Sequence, residues 1–158
     1  YAQKNDMEVA SLLGGFSKGY SEADIAGWIE AHRNRSDEAL FVIADKTSDA
    51  CLGHVGLYKI DHRVRSAEFA IMIGAKEAWG QGLGSAITAY MVEYGFDWLN
   101  LNRIELTVLE SNERAIALYE KLGFIREGLK RQAQYKAGQY LDVCLMAKLR
   151  EDLDADDR

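Results

Sequence analysis

Proline is missing altogether from the 158 residues. That removes the Pro-rich linkers that would mark a second domain, and the length fits a single domain with a sizeable core. Cysteine is nearly missing too. Cys51 and Cys144 have the spacing of neither a metal site nor a disulfide framework, and both read as small buried hydrophobes. No apolar run approaches the ~20 residues of a membrane span, and the start has no signal-peptide pattern, so the expectation is a cytoplasmic protein with no membrane partner. Positive charge is in deficit: 19 Lys and Arg face 25 Asp and Glu, a net charge of -6. This argues against a nucleic-acid partner, which favours a basic face. Much of the acid lies in residues 151–158, expected as a solvated, frayed tail after a domain over residues 1–150. His32, His54 and His62 are not arranged as metal ligands, and no metal is expected; His54, inside an apolar strand, reads as a packed residue. No internal repeat is present.

Hydrophobic periodicity organises what is there. Residues 1–13 read as one helix with Ala2, Met7, Val9, Ala10 and Leu13 inward, ended by Gly14 and Gly15. Ser21 and Asp24 form a capping box in acidic form, followed by Ile25, Trp28, Ile29 and His32 at helical spacing. Strands are expected at 39–44, 52–60 and 68–73, with a loop over 61–66 carrying His62, Arg63 and Arg65. The 68–73 run is apolar after Glu68, as for an inner strand covered on both faces. Leu83, Ile87, Tyr90, Met91, Tyr94 and Trp98 outline a long amphipathic helix, stopped by Asn100 and Asn102. Residues 103–108 alternate as a strand. Ser111 and Asn112 cap a helix with Ala115, Ile116, Leu118, Tyr119 and Leu122 inward, and Gly123 ends it. Two further strands, 124–135 and 140–149, flank a turn at 136–139. The order is that of an α/β or α+β domain with a mixed sheet.

Between a strand and a helix lies Gly80-Gln81-Gly82-Leu83-Gly84-Ser85-Ala86. Glycines there let a backbone approach a ligand closely, and the free amides of the helix start suit a phosphate or pyrophosphate; an ordinary flexible turn is the competing reading. Two common phosphate loops fail. A dinucleotide fingerprint needs a glycine three residues after its second, but the count lands on Ser85 or Ile87. A P-loop needs Gly-Lys-Ser/Thr, which is absent.

The stretch Trp79-Gly80-Gln81-Gly82-Leu83-Gly84 resembles instead the acetyl-CoA loop of the GNAT N-acetyltransferase superfamily, Gln/Arg-x-x-Gly-x-Gly/Ala. Trp79 stands where Gln or Arg is usual, a start similar to the branch with the ribosomal-protein N-terminal acetyltransferases. Asn112-Glu113-Arg114-Ala115-Ile116-Ala117-Leu118-Tyr119-Glu120-Lys121-Leu122-Gly123-Phe124 resembles the family's Asn-x-x-Ala-x-x-x-Tyr-x-x-x-Gly-Phe helix. Residues 61–69 look like the matching stretch of polyamine acetyltransferases. The resemblance covers 40–149 and is strongest over 66–124. It implies a single GNAT-like domain, its central mixed and mostly antiparallel sheet flanked by helices, with acetyl-CoA as cosubstrate and an amine as acceptor. It implies cofactor contacts through the backbone of Ile71, Met72 and Ile73 and through Trp79, Gly80, Gln81, Gly82, Leu83, Gly84, Ser85, Asn112 and Ala115. For Asn112 the plain alternative is a helix N-cap.

The resemblance also places Tyr119 beside the thioester sulfur. A phenol of pKa near 10 is protonated at neutral pH and can donate to a departing thiolate; its alternative is a core aromatic. An alkyl amine acceptor of pKa ~10.4 is charged at neutral pH and needs a base. Glu68, a carboxylate opening an apolar strand, is the candidate, against a salt bridge with Arg63 or Arg65. Asp142 reads as part of a solvated strand face. A non-catalytic acyl-CoA-binding module and a purely structural α/β protein are the competing functional readings. Finally, relatives of this family usually open with a strand before the first helix, and none is visible here. The expectation is a natural N-terminus about ten residues longer, or an edge covered otherwise, and a homodimer through the sheet or last hairpin.

Overall fold

The structure, a computed structural model, describes residues 1–15 and 19–152. Six strands form one sheet in the order β1-β2-β3-β4-β6-β5: β1 Ala39–Ala44, β2 Cys51–Asp61, β3 Ser66–Ile73, β4 Arg103–Leu109, β5 Ile125–Lys136 and β6 Gln139–Leu149. Neighbours are antiparallel except β3 and β4, the one parallel pair. The parallel step follows from the crossover between them, which contains helix α4 (Leu83–Glu93) and is long enough to return the chain in the same direction. The hairpin turn is the expected one, with Ala137 and Gly138 both at positive φ (47° and 82°), as tight strand-to-strand turns require.

The core lies between one sheet face and the helices α4 and α5 (Glu113–Lys121). Leu57, Phe69, Ile104 and Leu106 from the strands meet Met91, Phe96 and Ile116. Strand alternation sends Ala67, Phe69 and Ile104 into this core, so Glu68, Ala70 and Glu105 face the other side. Alpha5 ends as expected at Gly123, φ 82°. Its last turn is held by the buried ammonium of Lys148, which donates to the Leu122 carbonyl at 2.8 Å, a favourable use of a cation at a helix C-terminus.

Several expectations are corrected. The first helix is two: α1 (Ala2–Asn5) and α2 (Met7–Leu12). Asp6 breaks it, in extended conformation, and its carboxylate accepts from the Glu8 and Val9 amides to cap α2. Only Val9 of the expected inner residues is buried, and Met7 is 81% exposed. Residues 1–6 contain no strand. The capping box of Ser21 and Asp24 opens α3 (Glu22–His32) as expected, but Ile29 faces solvent and no residue of α3 is fully buried. In α4, Thr88, Met91 and Val92 point inward and Tyr90 outward. The helix then widens into a π-helical turn, Tyr94–Trp98. Each residue of such a turn falls behind the α-helical rotation, so Phe96 is fully buried and Trp98 is 81% exposed. Strand β3 is covered on both faces only in part, since Ala70 is exposed. Of the tail over 151–158, residues 153–158 lie outside the described residues. Glu151 and Asp152 belong to a single 3-10 turn, where Asp152 accepts from the Leu149 amide at 2.7 Å.

Candidate active site

Strands β3 and β4 pair only through Ser66–Arg103, Ala67–Ile104 and Glu68–Glu105. Beyond these, β3 stays with β2 as far as Ile73 and β4 with β6 as far as Leu109, so the two halves of the sheet part like a wedge. The gap is a cleft of about 580 Å³. Residues 69–73 line one wall, and Thr107, Val108, Leu109 and the α5 face with Ala115, Leu118 and Tyr119 line the other. Across the mouth run Val9, Leu12, Leu13, Gly14 and Gly15. This segment is tied to both halves. On the β3 side, Gln3 donates to the Cys51 carbonyl at 2.7 Å and Lys76 pairs with Asp6 at 2.9 Å. On the other, Lys136 donates to the Ala10 and Leu13 carbonyls, and Gln134 accepts from the Gly15 amide at 3.1 Å.

The glycine loop closes one end. Gly80 and Gly82 both hold φ 79°, a region that costs other residues ~1–2 kcal/mol. Gly82 is the N-cap of α4 and offers no side-chain cap. The Ala86 amide is the first to bond within the helix, to the Gly82 carbonyl, so the amides of Leu83, Gly84 and Ser85 stand at a helix start with the positive end of its dipole. Such a start accepts phosphate without side chains. Trp79 clamps the loop: its Nε1 donates to the Ile73 carbonyl at 2.9 Å, leaving only the apolar indole to face a ligand.

All the site residues expected from sequence line this one cleft except Gln81, whose amide donates to the Glu77 carbonyl instead. Asn112 is an N-cap: its Oδ1 accepts from the Ala115 amide at 3.2 Å, and its Nδ2 donates to the Leu12 carbonyl at 3.3 Å. Tyr119 is 9% exposed. Its ring packs edge-on to Phe69 (6.2 Å) and Phe124 (5.7 Å). Its hydroxyl has no hydrogen-bond partner among the described residues. Burial pushes its pKa up to about 12, so the phenol holds its proton throughout the physiological range. Glu68 does form an ion pair, with neither Arg63 nor Arg65 but with Lys59, at 2.6 Å. Lys59 reaches it from a bulge in β2 where its φ is 51°.

Sequence reasoning missed Lys4, the 9–15 segment, Thr88, Thr107, Arg114 and Gln134, all of which line the cleft. Arg114 had a signal, since it falls inside the quoted helix motif and lies beside Gly80. The N-terminal residues had none, because what brings them to the cleft is contacts with residues 48 to 126 positions away. His54 was read as packed and is so: its ring lies 5.4 Å from Trp28. It also borders the cleft, and burial, helped by the nearby Lys4 charge, lowers its pKa to about 4. Among the described residues no group of three or more His, Cys, Asp or Glu could hold a metal, and no helix is long and apolar enough to cross a membrane.

The sheet thus parts at its parallel pair, with a bare helix start at one end of the gap and the Tyr119 phenol inside it. Residues 1–125 match the acetyltransferase (GNAT) domain family, and the chain belongs to it. It is 34% identical over 124 residues to the uncharacterized N-acetyltransferase p20 of Bacillus licheniformis, covering 78% of this chain and 66% of that protein. It is 37% identical over 112 residues to the spermidine N(1)-acetyltransferase of Vibrio cholerae, covering 71% and 64%. The crystal structure of spermidine N-acetyltransferase from Vibrio cholerae in complex with CoA and spermine superposes with a TM-score of 0.87 at 30% identity, over 96% of this chain and 88% of that one. The matched segments thus span just under two thirds of these two curated relatives. The expected fold, a single mixed and mostly antiparallel sheet flanked by helices, is the observed one.

Proposed function

We propose that the chain transfers the acetyl group of acetyl-CoA to a primary amine of a small molecule or a peptide N-terminus, with residues 1–150 as the catalytic domain. The observation that carries this reading is the cleft itself, which joins a bare helix start to the Tyr119 hydroxyl. The pyrophosphate lies against the amides of Leu83, Gly84 and Ser85, with the Arg114 guanidinium beside Gly80 adding charge. The pantetheine arm lies in the gap along residues 71–73, where β3 pairs with β2 but its edge toward β4 has no strand partner. The amine nitrogen attacks the thioester carbonyl, the C–N bond forms and the C–S bond breaks. Glu68 accepts the amine proton, and Tyr119 gives its proton to the leaving thiolate. The names of the relatives support an amine as acceptor.

Acetyl-CoA binding by calorimetry, with release of free CoA thiol on adding a panel of amines, tests this. Binding without thiol release from any amine would refute acetyl transfer. We also place the enzyme in the cytoplasm, a reading that rests on the sequence. A homodimer through β5 fits that strand's position at the sheet edge and its exposed Ile125, Leu129 and Tyr135; the mass in solution tests it.

A further inference from the structure

Where β3 and β4 part, main-chain groups that a continuous sheet would pair are left facing the cleft. The ladder on the far side of β4 tells which ones. The Glu110 amide donates to the Asp142 carbonyl at 3.0 Å, and the Arg150 amide to the Asn102 carbonyl at 2.9 Å. In an antiparallel pair such bonded positions recur at every second residue, and the register of β4 with β6 runs unbroken between these two. Ile104, Leu106 and Val108 therefore bond to β6, while Arg103, Glu105, Thr107 and Leu109 turn their amides and carbonyls toward β3. The Arg103 amide does so, donating to the Arg65 carbonyl at 3.1 Å. Pairing with β3 stops at Glu105, and the Leu109 carbonyl accepts from the Asn112 amide at 2.9 Å. The Thr107 carbonyl is left facing the gap.

The Thr107 side chain adds a second acceptor at the same edge. Leu106 and Val108 are buried in the core, so Thr107 faces the other side of the sheet, where it is exposed and lines the cleft. Its hydroxyl has no hydrogen-bond partner among the described residues. Ala70 would stand opposite Thr107 had the pairing of Glu68 with Glu105 run on by two residues. It also lines the cleft, and its single methyl group leaves the way between the two faces unblocked. The cofactor side is the core side, where Tyr119 packs against Phe69. A nitrogen arriving from the opposite face thus meets a carbonyl and a hydroxyl of one residue. A primary amine has two N–H bonds and one lone pair. With both N–H bonds donated to Thr107 and the carbon chain toward solvent, the lone pair is left to aim through the gap at the thioester.

We propose that Thr107 binds and orients the acceptor, its carbonyl and hydroxyl taking the two N–H bonds of a primary amine, and that it sets a preference for primary over secondary amines. The inference rests on the acetyl-transfer reading above. Thr107→Val removes the hydroxyl, nearly keeps the shape and suits an exposed strand position; Thr107→Ser keeps the hydroxyl. Two pairs of acceptors differ by one N–H: propylamine with N-methylpropylamine, and benzylamine with N-methylbenzylamine. In Thr107→Val, kcat/KM for the primary amines should fall about fivefold, the worth of one ordinary hydrogen bond, with acetyl-CoA affinity by calorimetry unchanged. Thr107→Ser should restore the wild-type value. The N-methyl amines, with one N–H to donate, should lose less than about twofold, so the lead of the primary amines narrows. Unaltered kcat/KM for the primary amines in Thr107→Val, equal losses in the Val and Ser variants, or equal losses for both members of a pair overturns the inference and leaves acetyl transfer standing. Acetyl-CoA binding with none of the four amines acetylated by the wild type overturns both.

Discussion

Replacing Tyr119 by Phe removes one oxygen and leaves the ring. The edge-on contacts with Phe69 and Phe124 survive, and no hydrogen bond is lost, because the hydroxyl has none among the described residues. A partly buried hydroxyl without a partner adds little to stability and costs desolvation, so the variant should unfold within about 1 kcal/mol of wild type, on either side. Tyr119→Ala, which empties the space between those two rings, should cost ~3–5 kcal/mol. Turnover behaves differently. If the phenol protonates the thiolate, its loss lowers kcat by about 10²-fold, or about 2.7 kcal/mol at the barrier, with acetyl-CoA affinity unchanged. The pKa, pushed up to about 12, adds a pH signature. The phenol loses its proton only as pH rises through that value, so the wild-type rate should keep climbing with acceptor deprotonation into the alkaline range and show no falling limb from Tyr119. Thiol release gives the rate, calorimetry the affinity and denaturant titration the stability. Turnover left intact in a variant that binds acetyl-CoA would make Tyr119 a packing residue and refute the assignment.

A Cβ at Gly82 would meet no atom within 4 Å, but Gly82→Val forces a branched residue to φ 79°, which should cost ~1–2 kcal/mol of stability and weaken acetyl-CoA binding by calorimetry; unchanged affinity in a folded variant would move the pyrophosphate elsewhere. Glu68→Gln should lose activity that partly returns at high pH, where the amine deprotonates unaided, whereas a loss constant with pH would mean positioning. His54 links stability to acid. Its pKa falls from 6.5 to about 4 on folding, so its contribution is complete above 6.5 and is lost as pH falls toward 4. That shift corresponds to on the order of 3 kcal/mol. Denaturant titrations at both ends of this window should show wild type losing more stability than His54→Gln, and equal losses would sink the argument.

Local chemistry was the legible part of this fold. The limits of β1, the capping box at Ser21, the alternation of β4 and the Gly123 stop are all decided by neighbours a few residues apart, so pattern reasoning reached them. Asp6 was misread because a single cap outweighed the helical spacing around it. The inward face of α4 was misread because Tyr90 and Trp98 fit the spacing template, whereas the rotation of the helix about its axis is fixed by the sheet beneath. At the site, two motifs gave the residues but not the gap between them. The parting of β3 from β4, the ion pair of Lys59 with Glu68 and the segment across the mouth are set by partners distant in sequence, and no periodicity records them.

The π-helical turn Tyr94–Trp98 bears on how this chain tolerates changes of length. Such a turn typically holds one residue more than an α-helical ladder needs. Losing one residue there would let the ladder close regularly, with the segments on either side keeping their mutual orientation. Losing one from residues 83–90 would instead rotate the rest of the helix by about 100° and carry Met91 out of the core. Homologous chains one residue shorter between Glu93 and Asn100 should therefore be compatible with this architecture, while shortening before Glu93 should not be.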